Sequence, residues 1–397
     1  MKALSTTELF CRGLPVLFVE HLGVRKVVLN RPSKLNYLTV EMTSQMFRKL
    51  QIYEDDHTVN LVILKGNGKA FCSGGDVIGT MCYILTRHWS FGAMGYKKLL
   101  TVVYLIATYK KPLVCLINGV VMGGGAGISM LGSFRVVTEN TVFAMPEASI
   151  GLFPDVSASH FLSKLPGYFG EYLGLTGVCL DGAKASPMLA CGLATHFVFS
   201  KDLPLLEHAL SSVDSSNASE ILSVIHKFLV RKIQSSLHCW NRLKSINKCF
   251  SRQTVEGILH SLYYCTVQEN ELLENLAEKW IADAVTNIKF TSPTSLKIFL
   301  RSIREGRGQT IEQCLVREYT IFSNIARRKI TNDFYEGSRA ILFDKDKKPK
   351  WDPPKLELVR AETVDMLFKA LEDDDDGNCL QLPVRSSNLL GHVRSKL

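Results

Sequence analysis

Short apolar runs alternate with glycine-containing turns over the first half of the chain, and longer helical periods take over beyond about residue 205. Val16-Leu17-Phe18-Val19 and Arg25-Lys26-Val27-Val28-Leu29 read as two short strands joined through His21-Leu22-Gly23. Asn30 to Asn36 is a loop by composition. From Thr39 to Tyr53 the apolar positions Val40, Met42, Met46, Phe47, Leu50 and Tyr53 follow helical spacing, with Thr39 as N-cap. Leu61-Val62-Ile63-Leu64 is a strand, followed by the stretch Lys65 to Asp76. Leu113 to Ile117 is an apolar run of strand length, followed closely by Gly123-Gly124-Gly125. Without Cβ atoms, backbone N–H groups there can come close to a ligand. A helix starting at those glycines aims free N–H groups and its positive dipole end at one point, a place for a developing negative charge. The alternation of strand, loop and helix predicts an α/β fold.

Further on, Ser215 to Ser219 reads as a loop. Ser292 with Pro293 forms an N-cap and N1 pair, opening a helix that stops near Gly306. Thr310 with Gln313 makes a capping box, and Leu315, Tyr319 and Phe322 mark one apolar face after it. The run Glu372-Asp373-Asp374-Asp375-Asp376 is expected to be a solvated charge segment. These patterns divide the chain into a core over residues 1–205, a helical region over 206–371, and an acidic segment with tail over 372–397.

With 397 residues, 46% of them hydrophobic, the chain can bury a large core in one large or two medium domains. Its net charge of +9 is scattered apart from Lys345 to Lys350, which favours a solvated basic surface or an anionic small molecule over nucleic acid. Eleven cysteines without a C-x-x-C pair or zinc-like spacing imply a reducing compartment and no metal site. The uncharged run from Pro112 to Phe134 is long enough to cross a bilayer. Its Asn118, Ser129, Ser133 and six glycines suit the buried strand, turn and helix of an α/β core instead, and no membrane span is expected. Arg12, Gly13 and Pro15 interrupt the N-terminal apolar residues, so no secretory h-region forms.

Candidate chemistry narrows by elimination. Gly66-Asn67-Gly68-Lys69 lacks the spacer and following hydroxyl of a phosphate loop, and Gly123 to Gly127 lacks the spacing of a dinucleotide fingerprint. Glu147 and Asp155 are the only charges between Phe143 and Val156, and burial there would raise their pKa toward neutrality. Cys72 has no partner histidine in the pattern and reads as a small packing residue; His196 reads as structural.

Four motifs in order carry a family resemblance: Leu29-Asn30-Arg31-Pro32, Phe71-Cys72-Ser73-Gly74-Gly75-Asp76, Asn118-Gly119-Val120-Val121-Met122-Gly123-Gly124-Gly125 and Met145-Pro146-Glu147. Together they resemble the crotonase, or enoyl-CoA hydratase/isomerase, superfamily. Gly151-Leu152-Phe153-Pro154-Asp155-Val156, Leu165-Pro166-Gly167, Leu175-Thr176-Gly177, Ala190 to His196, Ser292 to Lys297 and Asp333 to Ala340 are most similar to its 3-hydroxyisobutyryl-CoA hydrolases.

The resemblance implies an α/β crotonase-type core of ββα repeats with a helical C-terminal region that helps close the acyl pocket. It implies an oxyanion hole at the N–H groups of Gly75 and Gly124, with Gly124, Glu147 and Asp155 binding the substrate. Glu147 and Asp155 are the implied catalytic pair. A hydratase would need a second carboxylate at Gly127, which counts against hydration. An acyl-CoA substrate is implied, with 3-hydroxyisobutyryl-CoA of valine breakdown preferred; no metal or redox cofactor is implied, and the superfamily often forms homo-oligomers. Two departures stand out. Tyr37 replaces a small residue at the adenine-contacting turn, and Leu99 stands where several hydrolases carry an acidic substrate ligand. A hydratase or isomerase, or a silent paralogue that binds acyl-CoA or a protein, stays open. Finally, Ser395-Lys396-Leu397 reads as a peroxisomal address for an import receptor. Met1 to Leu22, with Glu8, Glu20 and two basic residues, is a poor mitochondrial presequence.

Overall fold

The computed structural model describes residues 13–182, 186–230, 237–269, 276–370 and 379–385. The acidic run 372–376 and the tripeptide at 395–397 lie outside the described residues. Among the described residues, ten strands form two sheets. The larger has the order β1 (Val16–His21), β2 (Val24–Leu29), β3 (Leu61–Gly66), β5 (Leu113–Ile117), β7 (Phe134–Val137) and β10 (His196–Phe197). Its β1–β2 pair is the antiparallel hairpin expected from sequence, turning at Leu22-Gly23, and the remaining pairs are parallel. The smaller has the order β4 (Ala70–Cys72), β6 (Val120–Met122), β8 (Val142–Ala144) and β9 (Leu180–Asp181).

Three units repeat one pattern: a strand in the large sheet, a turn, a strand in the small sheet, then a helical element. β3 and β4 lead into the helix Val77–Thr86, β5 and β6 into Gly124–Ser129, and β7 and β8 into the 3-10 turn Glu147–Ile150. The turn between sheets is tight. At Gly119 (φ +82°) a Cβ would lie 2.1 Å from the Lys69 carbonyl oxygen, so only glycine fits. β4, β6 and β8 run parallel, so their C-terminal ends, and the residues that follow them, come to one edge of the small sheet.

Both faces of the large sheet are covered, as the unbroken apolar run of β5 requires. Leu113, Cys115 and Ile117 enter the main core, whereas Val114 and Leu116 meet a second cluster with Leu61, Ile63, Phe134 and Val136 under the helices Leu203–Ser211 and Ala218–His226. The charge-free segment from Pro112 is thereby β5, β6 and a short helix, and no helix among the described residues is long and apolar enough to cross a membrane.

Local signals set several helix ends. Thr39 caps Val40–Asp55 by accepting from Met42 N, Ser292 caps Pro293–Gly306, and the Thr310–Gln313 capping box opens Ile311–Ala326. One expectation needs correcting: the loop read at Ser215 to Ser219 ends at Asn217, whose side chain accepts from Ser219 N and starts the helix at Ala218. The polar residues belong to a cap rather than to a longer connection.

The helix Ile311–Ala326 packs along Trp89–Ala107. Helix Asp333–Ser338 docks on the 3-10 turn Glu147–Ile150 through two glycines. A Cβ on Gly337 would lie 2.4 Å from the Ile150 carbonyl carbon, and one on Gly151 (φ +73°) 2.0 Å from the Asp333 carbonyl oxygen. Gly151→Ala adds both a clash and a left-handed backbone penalty, and is expected to destabilise the protein by more than about 1 kcal/mol, read as a lower urea midpoint. An unchanged midpoint would mean that this docking contributes little.

Candidate active site

The residues that follow β4, β6 and β8 meet around a cavity of about 720 Å³, a size suited to a small-molecule site. After β4 the chain turns through Ser73 and Gly74, and Asp76 caps the next helix by accepting from Gly79 N at 2.9 Å. Leu38 N donates to Gly74 O and Asp76 N donates to Leu38 O, so the N–H of Gly75 between them is turned to the opposite side. After β6, Gly123 (φ +48°) turns the chain so that Gly124 opens the helix Gly124–Ser129. Neither Gly75 N nor Gly124 N donates a hydrogen bond to the backbone among the described residues. A Cβ on Gly124 would lie 3.1 Å from Gly75 N, so the two amides stand side by side. After β8, Met145 and Pro146 bring in Glu147. A Cβ on Gly123 would lie 2.5 Å from its Oε1, while its Oε2 is buried without a hydrogen-bond partner.

The fourth element is the turn from Phe153 to Ser157. Asp155 is 5% exposed and lines the same cavity as Glu147. Val156 (φ +55°) and Ser157 (φ +73°) are consecutive left-handed non-glycine residues, a strained arrangement that persists only when the surroundings enforce it. Val156 also decides what Gly127 can be. A Cβ at Gly127 would lie 2.6 Å from Val156 Cγ1 and 2.7 Å from its carbonyl oxygen, so that position is filled.

Burial pushes the Glu147 carboxyl well above the usual carboxylate range, and the neighbouring Asp155 charge pushes it further. Burial likewise raises Asp155, followed by the charge of Glu318, while the Tyr96 hydroxyl opposes the rise. Cys72 is wholly buried and its thiol is pushed up to about 12, so it carries no thiolate near neutrality and packs as a small apolar group. His196 lies away from the cavity in β10, its Nδ1 2.7 Å from Thr195 Oγ1, with burial holding it down at about 4.

The two departures from the expected pattern both face the cavity. Leu99 Cδ2 would be 3.4 Å from a Cβ on Gly124 and forms an apolar wall beside the amide pair. Tyr37 is held under the Arg31 guanidinium, 4.2 Å from its ring centroid, and its hydroxyl accepts from Arg31 Nη2 at 3.1 Å.

Sequence reasoning missed Tyr96, Phe322, Phe334 and Glu318. Tyr96 is 9% exposed and its ring lies 4.3 Å from that of Phe322. Phe322 and Phe334, from the helical region, line the cavity. Glu318 is fully buried on helix Ile311–Ala326, among Leu315, Tyr319 and Phe322. An acid at helical spacing on an apolar face was the available signal.

The chain matches the family model described as enoyl-CoA hydratase/isomerase over residues 24–368. It is 47% identical over 372 residues to 3-hydroxyisobutyryl-CoA hydrolase 1 of Arabidopsis thaliana, covering 94% of this chain and 95% of that one. Identity to the 3-hydroxyisobutyryl-CoA hydrolase, mitochondrial, of Gallus gallus is 38%, over 91% and 90% of the two chains. Among solved structures, a carnitinyl-CoA dehydratase from Mycobacterium thermoresistibile superposes with a TM-score of 0.79 at 29% identity, covering 90% of this chain and 97% of that one.

The raised carboxyls make a stability prediction. Unfolded, both groups lose their protons in the ordinary carboxylate range; folded, they keep them to higher pH. Between those ranges the native state binds more protons, so stability falls as pH rises. Glu147→Gln or Asp155→Asn should therefore raise Tm at about pH 8, with a smaller gain at about pH 5, and the gain at the higher pH should be about 1 kcal/mol or more. Variants that melt below the unaltered protein at the higher pH would contradict the shared burial of charge.

Proposed function

Because the chain belongs to the enoyl-CoA hydratase/isomerase family, we propose that it hydrolyses a short acyl-CoA thioester, with 3-hydroxyisobutyryl-CoA the preferred substrate. One observation carries the choice of hydrolysis over hydration. Glu147 and Asp155 share the buried cavity beside two free amides, whereas Val156 fills the position where a hydratase's second carboxylate would project from Gly127.

In this reading the thioester carbonyl oxygen lies between Gly75 N–H and Gly124 N–H. Those donors stabilise the negative charge that forms as the carbonyl carbon becomes tetrahedral. Glu147 either attacks that carbon, giving an anhydride that water opens, or takes a proton from the attacking water. On both routes the C–S bond breaks, the electrons leave with sulfur, and Asp155 in its protonated form supplies the proton that completes the CoA thiol. The dry, apolar surroundings raise both carboxyls, which lets one member of the pair hold a proton while the other works as an anion. Phe322, Phe334 and Leu99 give the cavity an apolar wall that suits a short acyl group, and Tyr37, stacked under Arg31, lines the same cavity.

Release of free thiol from a panel of acyl-CoAs tests the reaction. Glu147→Gln keeps the shape of the side chain without its charge, and should lower turnover by about 10²-fold or more while affinity for CoA survives. Double-bond chemistry without thiol release, or full turnover in the variant, would refute the assignment.

We also propose that the protein works in peroxisomes, on the strength of Ser395-Lys396-Leu397. The Gallus gallus relative has the word mitochondrial in its name, which makes that organelle the competing destination. A reporter fused ahead of residues 386–397 should enter peroxisomes, and removal of Leu397 should leave it in the cytosol. Import of the full chain into mitochondria would overturn the proposal.

A further inference from the structure

Glu318 is a buried acid that the proposed reaction does not use and that hydrogen-bonds to the turn following Asp155, and its contacts point at that strained turn rather than at the substrate. Its Oε2 accepts from Ser157 N at 2.7 Å. Its Oε1 accepts from Ser159 Oγ at 2.6 Å and from Ser159 N at 3.3 Å. Glu318, Ser157 and Ser159 are all 0% exposed. The carboxylate thus fills the cradle of N–H groups formed where the left-handed pair Val156-Ser157 turns into the helix Ala158–Phe161. Asp155 is the residue directly before that pair, and its carbonyl accepts from Ala158 N at 2.9 Å inside the same turn.

We propose that Glu318 is a positioning residue for the thioester reaction, whose carboxylate holds the Val156-Ser157 turn in its left-handed form and so places the Asp155 carboxyl. The proposal rests on the hydrolase reading and extends it to a residue of the helical C-terminal region. Two consecutive non-glycine residues at positive φ are costly, and three charge-assisted hydrogen bonds in a dry site supply what keeps them there. The same clamp keeps Val156 against Gly127, so one contact both sets Asp155 and excludes the hydratase arrangement.

Glu318 acts on Asp155 electrostatically as well. Burial raises the Glu318 carboxyl itself, and the Ser159 hydroxyl, the Ser157 and Ser159 amides and Arg317 oppose that rise and favour its ionised form. Once ionised, its charge adds to burial in raising Asp155 and, as the last cause, Glu147. The other groups around it have partners or tasks of their own. Tyr96 projects from Trp89–Ala107 toward Asp155 and Glu318. On its own helix, Cys314 has its thiol raised partly by Glu318, and Arg317 donates to Ser302 O at 2.9 Å while pairing with Glu305 at 3.4 Å. His160, in the helix that Glu318 caps, faces Glu312, and Asp365 on the adjoining Ala361–Phe368 helix pairs with Arg301 at 2.6 Å.

Two variants separate geometry from charge. Glu318→Gln removes the charge and turns an amide donor toward one of the N–H groups, whereas Glu318→Asp keeps the charge and shortens the arm. Both should lower kcat for CoA release, by about 10²-fold for the Gln variant, with KM little changed. Only the Gln variant should move to lower pH the alkaline limb of the pH–rate profile, where protonated Asp155 loses its proton. A folded Gln variant with unaltered kcat and pH limb would overturn the proposal, and so would equal movement of the limb in both variants. If the Gln variant does not fold, an unaltered kcat in Glu318→Asp overturns it.

If the unaltered protein releases no thiol from any acyl-CoA, the hydrolase reading fails by itself. The placement of Asp155 is then decided by isotope-edited infrared titration of the aspartate carboxyls, with Asp155→Asn identifying the signal. Its midpoint should fall in Glu318→Gln and stay in Glu318→Asp. An unmoved midpoint in the Gln variant sinks the inference.

Discussion

The architecture depends on how closely the backbones that follow β4 and β6 approach each other. A Cβ at Gly125 would lie 2.3 Å from the Cys72 carbonyl oxygen, and one at Gly124 would lie 3.1 Å from Gly75 N. Any side chain at Gly125 would push the helix Gly124–Ser129 away from β4 and so separate the amides of Gly75 and Gly124. Backbone groups carry no rotamer freedom, so once these elements are packed the two amides would need no ordering to serve as the proposed oxyanion donors. The rigid amide pair is a direct consequence of a packing distance.

Around this rigid centre the site concentrates acids where burial disfavours charge. Glu147, Asp155 and Glu318 are each at most 8% exposed. A folded chain keeps such groups only if other contacts offset their cost, and here the large two-faced core and the docked helices do so. The cost is tied to usefulness, since a carboxyl raised toward neutrality can hold a proton that an ordinary one would release. Helix Ile311–Ala326 contributes both kinds of residue: Phe322 lines the cavity and Glu318 clamps the turn beside it. The helical region is therefore part of the site rather than a cover for it.

Under the proposed reaction, hydrolysis and hydration would differ through one backbone turn as well as through the carboxylates they use. Gly127 has no side chain, and Val156 occupies the space a side chain would need. Restoring an acid at that position alone would meet the Val156 backbone, so a change of reaction would require the whole Asp155–Ser157 turn to adopt another conformation.

The chain alone determined what local patterns record. The apolar runs of β3 and β5, the caps at Thr39, Ser292 and Thr310, and the glycine-rich turns were all legible, because strand period, cap chemistry and Cβ-free turns are properties of a few neighbouring residues. Glu147 and Asp155 stood out for a similar reason, as isolated charges in an apolar stretch. Glu318, Tyr96 and the filling of Gly127 by Val156 were decided only by the tertiary structure. Ser157 and its acceptor Glu318 are 161 positions apart, and nothing in the spacing of either records the other. The conformations of Val156 and Ser157 are equally absent from the pattern, since neither residue favours positive φ and packing imposes it. Local physics specified the elements, and the close packing of distant ones specified which acid acts on which turn.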